Sequence, residues 1–107
     1  MDGIDEKDWK LMRSMKERLL DLACSRILTK IEQLIQNGSD SAHDTYLQVW
    51  KTLKSEDKDI AIMFDDLKRS NAILKLAIWK KYGIISDEEM KSFTEDTQER
   101  IRSFSNF

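Results

Sequence analysis

Residues 64–83 read FDDLKRSNAILKLAIWKKYG, a stretch that begins as a one-sided amphipathic helix and becomes apolar on two sides, with Asn71 set into its hydrophobic stripe. Within a predicted helix over 56–82, Ile60, Phe64, Leu67, Asn71, Leu74 and Ile78 follow alternating steps of four and three, the spacing of a coiled-coil-like seam. At about 100° per residue, Met63 and Tyr82 join that face, whereas Ile73, Leu76 and Trp79 fall toward the opposite side. A helix apolar on two sides must be covered on both, by its own domain or by another molecule. Two arrangements follow. In one, this helix is the centre of the bundle and Asn71 bonds within the chain. In the other, the helix crosses its symmetry mate in a homodimer and Asn71 pairs with Asn71 of the second copy, fixing register at some cost in stability. Asn71, Ile73, Leu76 and Trp79 are the expected contact surface for a protein partner or a second copy.

Around this stretch the punctuation is sparse: no proline and only three glycines. Gly38 and Gly83 each follow a long run of helical periodicity, where a left-handed residue commonly closes a helix. Before Gly38, Trp9, Met12, Met15, Leu19, Leu20, Ala23, Ile27, Ile31 and Leu34 recur at spacings of three and four, which predicts a long helix over 5–37. Gly38-Ser-Asp-Ser41 is a turn with several N-cap residues, and Ala42, Tyr46, Val49, Trp50 and Leu53 line one side of a shorter helix over 42–54. Ser55, followed by acidic residues, predicts a corner there and a new helix, although no residue between Ser55 and Asp59 forbids a continuous one.

After Gly83, Ser86 and Glu89 form a capping box that starts a helix over 87–93, and Thr94 is a second N-cap for a last helix over 95–104 carrying Ile101 and Phe104. The segment GIISDEEMKSF, Gly83 to Phe93, resembles a pattern common in small bacterial proteins, a glycine-ended helix followed by a capped acidic one. Helix capping explains it, and it implies no function. The fold expected is all-α, one domain over 1–107: a compact bundle of four to five helices with a long N-terminal helix and a long central one.

A chain of 107 residues buries roughly 65% of its unfolded surface, enough for a core without staples. Its 20 acidic and 18 basic residues leave a net charge of −2, neither the cationic excess of a general nucleic-acid binder nor the single sign of a disordered tail. Cys24 is the only cysteine, so no internal disulfide forms, and the acidic N-terminal segment lacks the basic and apolar regions of a signal peptide. The sequence predicts a cytoplasmic protein with no membrane contact.

The candidate sites each have a plainer structural reading. Asp65 and Asp66 diverge by about 100° on a helix, and Arg69 four residues after Asp65 suggests a surface ion pair. His43 is the only histidine and reads as a half-buried structural residue, which removes the commonest zinc sites. Cys24 falls on an apolar stripe, where a buried thiol is inert. Met12, Met15, Met63 and Met90 read as core filling rather than a binding groove, and the tryptophans as core and rim.

Lys68, Arg69, Lys75, Lys80 and Lys81 form a basic patch that invites a nucleic-acid reading. A helix-turn-helix built across Gly83 would present Asp87, Glu88 and Glu89 to the phosphates, which disfavours DNA. No phosphate loop, metal-ligand cluster or nucleophile elbow is present to support an enzyme or a cofactor. The function expected is protein–protein interaction, including self-association, without catalysis. Its rivals are a small nucleic-acid-associated regulator using the basic patch and a helical enzyme with no motif behind it.

Overall fold

The computed structural model describes residues 3–105. Among them the fold is an all-α bundle of five helices: α1 (Glu6–Gln36), α2 (Ala42–Phe64), α3 (Ala72–Lys81), α4 (Asp87–Met90) and α5 (Glu95–Ser105), with a 3-10 turn at Arg69–Asn71 before α3. No described helix is long and apolar enough to cross a membrane.

Local chemistry sets most of the ends. Asp5 caps α1 by accepting from the Lys7 amide at 2.8 Å, and Ser41 caps α2 by accepting from Asp44 at 3.2 Å. In the capping box of α4, the Ser86 amide donates to Glu89 Oε1 and the Glu89 amide to Ser86 Oγ, both at 3.0 Å. This helix stops at Met90 rather than reaching residue 93, because the chain turns to bury Phe93 and to start α5 after its cap Thr94, whose Oγ1 accepts from the Thr97 amide. Gly83 ends α3 at φ 70°, as a left-handed closing residue. Gly38 does not adopt that conformation; a Cβ there would collide with the Thr45 side chain, so close approach is what requires glycine.

The predicted boundary at Ser55 and the predicted helix over 56–82 are both corrected. α2 runs unbroken through Ser55–Asp59, since Ser, Glu, Asp and Lys cost only tenths of a kcal/mol each inside a helix. The break falls inside the opening stretch instead. Asp65 is extended and Asp66 adopts φ 56°, a left-handed state that Asp tolerates better than most residues. The chain then doubles back, so that α3 runs antiparallel to the end of α2. Lys75 Nζ donates to the Ile62 carbonyl at 2.6 Å, Trp79 Nε1 to the Met63 carbonyl at 2.8 Å and Tyr82 Oη to Asp59 Oδ1 at 3.1 Å. The seam read from Ile60 to Ile78 is therefore divided between two helices.

The core occupies one end of a molecule measuring 55 × 25 × 22 Å. Every buried residue of α1 lies at or before Ala23, and those of α2 are Met63 and Phe64. Around them pack Ile73, Leu76 and Trp79 of α3, Ile84, Ile85, Met90, Phe93 and Ile101, with the rings of Phe64 and Trp79 5.6 Å apart. Among the described residues Asp8 and Thr97 are the buried polar side chains, and Thr97 Oγ1 donates to Asp8 Oδ2. Beyond this core, α1 and α2 continue as a two-helix arm with no fully buried residue. At 1.5 Å per residue the part of α1 past Ala23 is roughly 20 Å long.

Candidate functional site

On the arm, a half-buried row on α1 (Cys24, Ile27, Ile31, Leu34) faces one on α2 (Thr45, Val49, Thr52, Glu56), each stepping by three and four. The α2 side of this seam is largely polar. Three large apolar residues of α2 on the arm, Tyr46, Trp50 and Leu53, each follow a seam residue by one position. In a right-handed helix that places them about 100° round from the seam. Because α1 runs the opposite way, the residues one position past its own seam fall on the same flank of the pair. They include Leu28 and Ile35.

One flank of the arm is consequently apolar and open. Leu28, Ile35 and Tyr46 keep 65%, 61% and 66% of their surface in solvent, Trp50 56% and Leu53 40%. Together they present on the order of 500 Å² of apolar surface, the size of the largest patch on a typical monomer, which is often a functional one.

The other flank, one position before the seam, carries Arg26, Lys30 and Gln33 on α1 and Gln48, Lys51 and Ser55 on α2. Lys30 Nζ lies 2.6 Å from Glu56 Oε1 there. Arg26 Nη1 donates to the Gly83 carbonyl at 2.9 Å, which shows that α3 and its closing turn sit on this polar flank. The apolar flank points away from the rest of the molecule.

Between Arg26, Lys30, Glu56, Asp59 and Tyr82 on the polar flank lies a cleft of about 110 Å³, well below the roughly 300 Å³ at which small-molecule sites begin. Burial, then the hydrogen bond to Asp59, raises the pKa of the Tyr82 phenol. Among the described residues no group of three or more His, Cys, Asp and Glu is arranged to hold a metal ion.

The residues expected to form the contact surface lie elsewhere and are otherwise employed. Ile73, Leu76 and Trp79 are buried, because the reversal at Asp66 folds that side of α3 onto Met63 and Phe64. Asn71 is half-buried and bonded within the chain: its Oδ1 accepts from the Lys68 amide at 2.9 Å and its Nδ2 donates to the Asp66 carbonyl at 2.8 Å.

The expected basic patch is dispersed. Lys68 pairs with Asp66 at 3.3 Å, Arg69 donates to the Ile4 carbonyl at 2.9 Å and Lys75 reaches back to α2. Lys80 borders Asp87 and Arg102, and Lys81 is exposed. Arg69 does not meet Asp65, since the helix that would have set them four apart ends before them. His43 is exposed rather than half-buried, and Cys24 is half-buried rather than enclosed, both because they lie on the arm and not in the core. The methionines at 12, 15, 63 and 90 are core, as their helical spacing implies.

The sequence shows Ala42, Tyr46, Val49, Trp50 and Leu53 on one side of a helix without saying what that side faces, and it does not single out Leu28 and Ile35. The only signal was a second stripe on α2 beside Thr45, Val49, Thr52 and Glu56, and periodicity does not say which of two adjacent stripes meets α1. The fold and site thus define an all-α bundle bearing a two-helix arm with one apolar flank. No protein-family model, curated protein or solved structure matches this chain.

Proposed function

We propose that this chain acts by binding protein, through the apolar flank of its two-helix arm, with no catalytic step of its own. The observation that carries this reading is the outward stripe on α2: the helix offers Thr45, Val49, Thr52 and Glu56 to α1 and leaves the larger Tyr46, Trp50 and Leu53 largely in solvent. Aromatic residues lower the free energy most when desolvated in the middle of an interface, and Trp and Tyr are the usual anchors there. Within this reading the protein is cytoplasmic, in keeping with a single cysteine. A nucleic-acid reading has less support than the residue pattern suggested, since its cations point to separate parts of the molecule.

A photo-reactive residue placed at Ile35, on the apolar flank, tests the reading against one placed at Gln33, on the polar flank. In living cells the expected result is a discrete protein adduct from Ile35 and none from Gln33. Equal or absent adducts at the two positions would defeat the proposal.

A further inference from the structure

We infer that the molecule covering the arm is a second copy of this chain. The two arms lie face to face as a four-helix bundle, α1 of each protomer against α2 of its partner. The inference rests on the protein-binding reading above and adds the identity of the partner.

The area is of the right size. Two apolar flanks of on the order of 500 Å² each bury about 1,000 Å² of apolar surface, close to the 56–65% apolar share of a standard interface of about 1,600 Å². Neither protomer needs to rearrange, because the body of each molecule sits on the opposite flank, beside Arg26.

Shape and charge choose the orientation. A two-fold axis along the arm sets α1 over the partner's α2, so that Ile35 lies level with the partner's Trp50 and Leu28 nearest the partner's Leu53, each contact being made twice. All neighbouring helices are then antiparallel, as in an up-down-up-down bundle. The Lys30–Glu56 pair shows which residues of α1 and α2 lie level. Two positions nearer the tip on each helix are Glu32 and Lys54, both exposed and both bordering the apolar flank. With the axis along the arm, each Glu32 lies level with Lys54 of the other copy. An axis across the arm would instead oppose α1 to α1 and α2 to α2, setting like charges in the same row.

Sedimentation equilibrium of the purified full chain over a wide concentration range tests this. The expected result is a reversible monomer–dimer equilibrium that Trp50→Glu weakens at least about thirty-fold, with an unchanged far-ultraviolet circular dichroism spectrum because Trp50 is exposed. Glu32→Lys and Lys54→Glu each weaken it roughly three- to ten-fold, and the double reversal restores it.

A chain monomeric at every concentration overturns the inference, as does a dimer indifferent to Trp50→Glu. A dimer sensitive to Trp50→Glu but not restored by the double reversal overturns the orientation. A monomer whose Ile35 probe still captures a different protein leaves the protein-binding reading intact and removes only the second copy; a monomer with no adduct removes both.

Discussion

Asn71 holds the carbonyl of Asp66, five residues before it, through a 2.8 Å hydrogen bond from its side-chain nitrogen, while its side-chain oxygen accepts from the Lys68 amide. One amide side chain thus ties both sides of the reversal between α2 and α3, with Asp66 held at φ 56° between them. A polar residue in an apolar stripe marks the place where the chain leaves the helix. Asn71→Leu removes both bonds and leaves two backbone groups seeking other partners. The expected loss is about 1–2 kcal/mol in urea unfolding. The sedimentation behaviour should match the wild type, because Asn71 lies at the core end and not on the arm. A change in association state with Asn71→Leu would place this residue at an interface after all.

Asp8 joins the two ends of the described chain. Its carboxylate accepts from the Thr94 amide at 3.1 Å and from the hydroxyls of Thr94 and Thr97, both at 2.6 Å, at the start of α5. A buried carboxylate is stable there because all three donors and the helix N-terminus face it. Asp8→Ala strands those donors and is expected to cost about 2–4 kcal/mol. Hydrogen exchange should rise first in α5. Wild-type protection in α5 of the variant would show the contact to be dispensable.

Trp79 has no exposed surface, and its Nε1 bonds the Met63 carbonyl near the end of α2. Trp79→Phe keeps the ring contact with Phe64 but loses the bond and leaves a void, an expected loss of about 2 kcal/mol. Trp79→Glu puts a charge among Leu76, Phe64 and Met63 and should abolish cooperative thermal unfolding. A well-folded Trp79→Glu protein would contradict the burial of this face.

Glu89 carries a pH dependence. Its hydrogen bond to the Ser86 amide, then the Arg18 guanidinium, holds its pKa below the ordinary glutamate value, against an opposing effect of burial. The folded state therefore binds the proton more weakly than the unfolded state. The stabilisation is present above the unfolded pKa and is lost as pH falls through the lowered folded one. Glu89→Gln preserves an acceptor for the capping box but not the charge. Its denaturation midpoint should fall less steeply than the wild type's as pH is lowered below the ordinary glutamate range; parallel curves would assign the pH dependence to other groups.

Helix content, both caps after Gly83, the ends of α1 and the core role of the methionines were legible in the sequence. They depend on interactions within a few residues: Ser86 with Glu89, Asp5 with Lys7, and apolar residues one turn apart. Whether Ser55 or Asp65 ends a helix was not legible, because both can cap and both can sit inside a helix. The choice depends on Met63, Phe64 and Trp79 finding one another across the reversal.

The candidate site shows the same division. That α2 carries an apolar stripe with Tyr46, Trp50 and Leu53 is already written in the residues, because period and side-chain chemistry are local properties. That this stripe faces outward, while Ile73, Leu76 and Trp79 face inward, follows from how the helices pack. The direction of a helix face is set by what packs against its neighbours. Here α3 occupies the Arg26 flank of the arm and leaves the opposite flank bare.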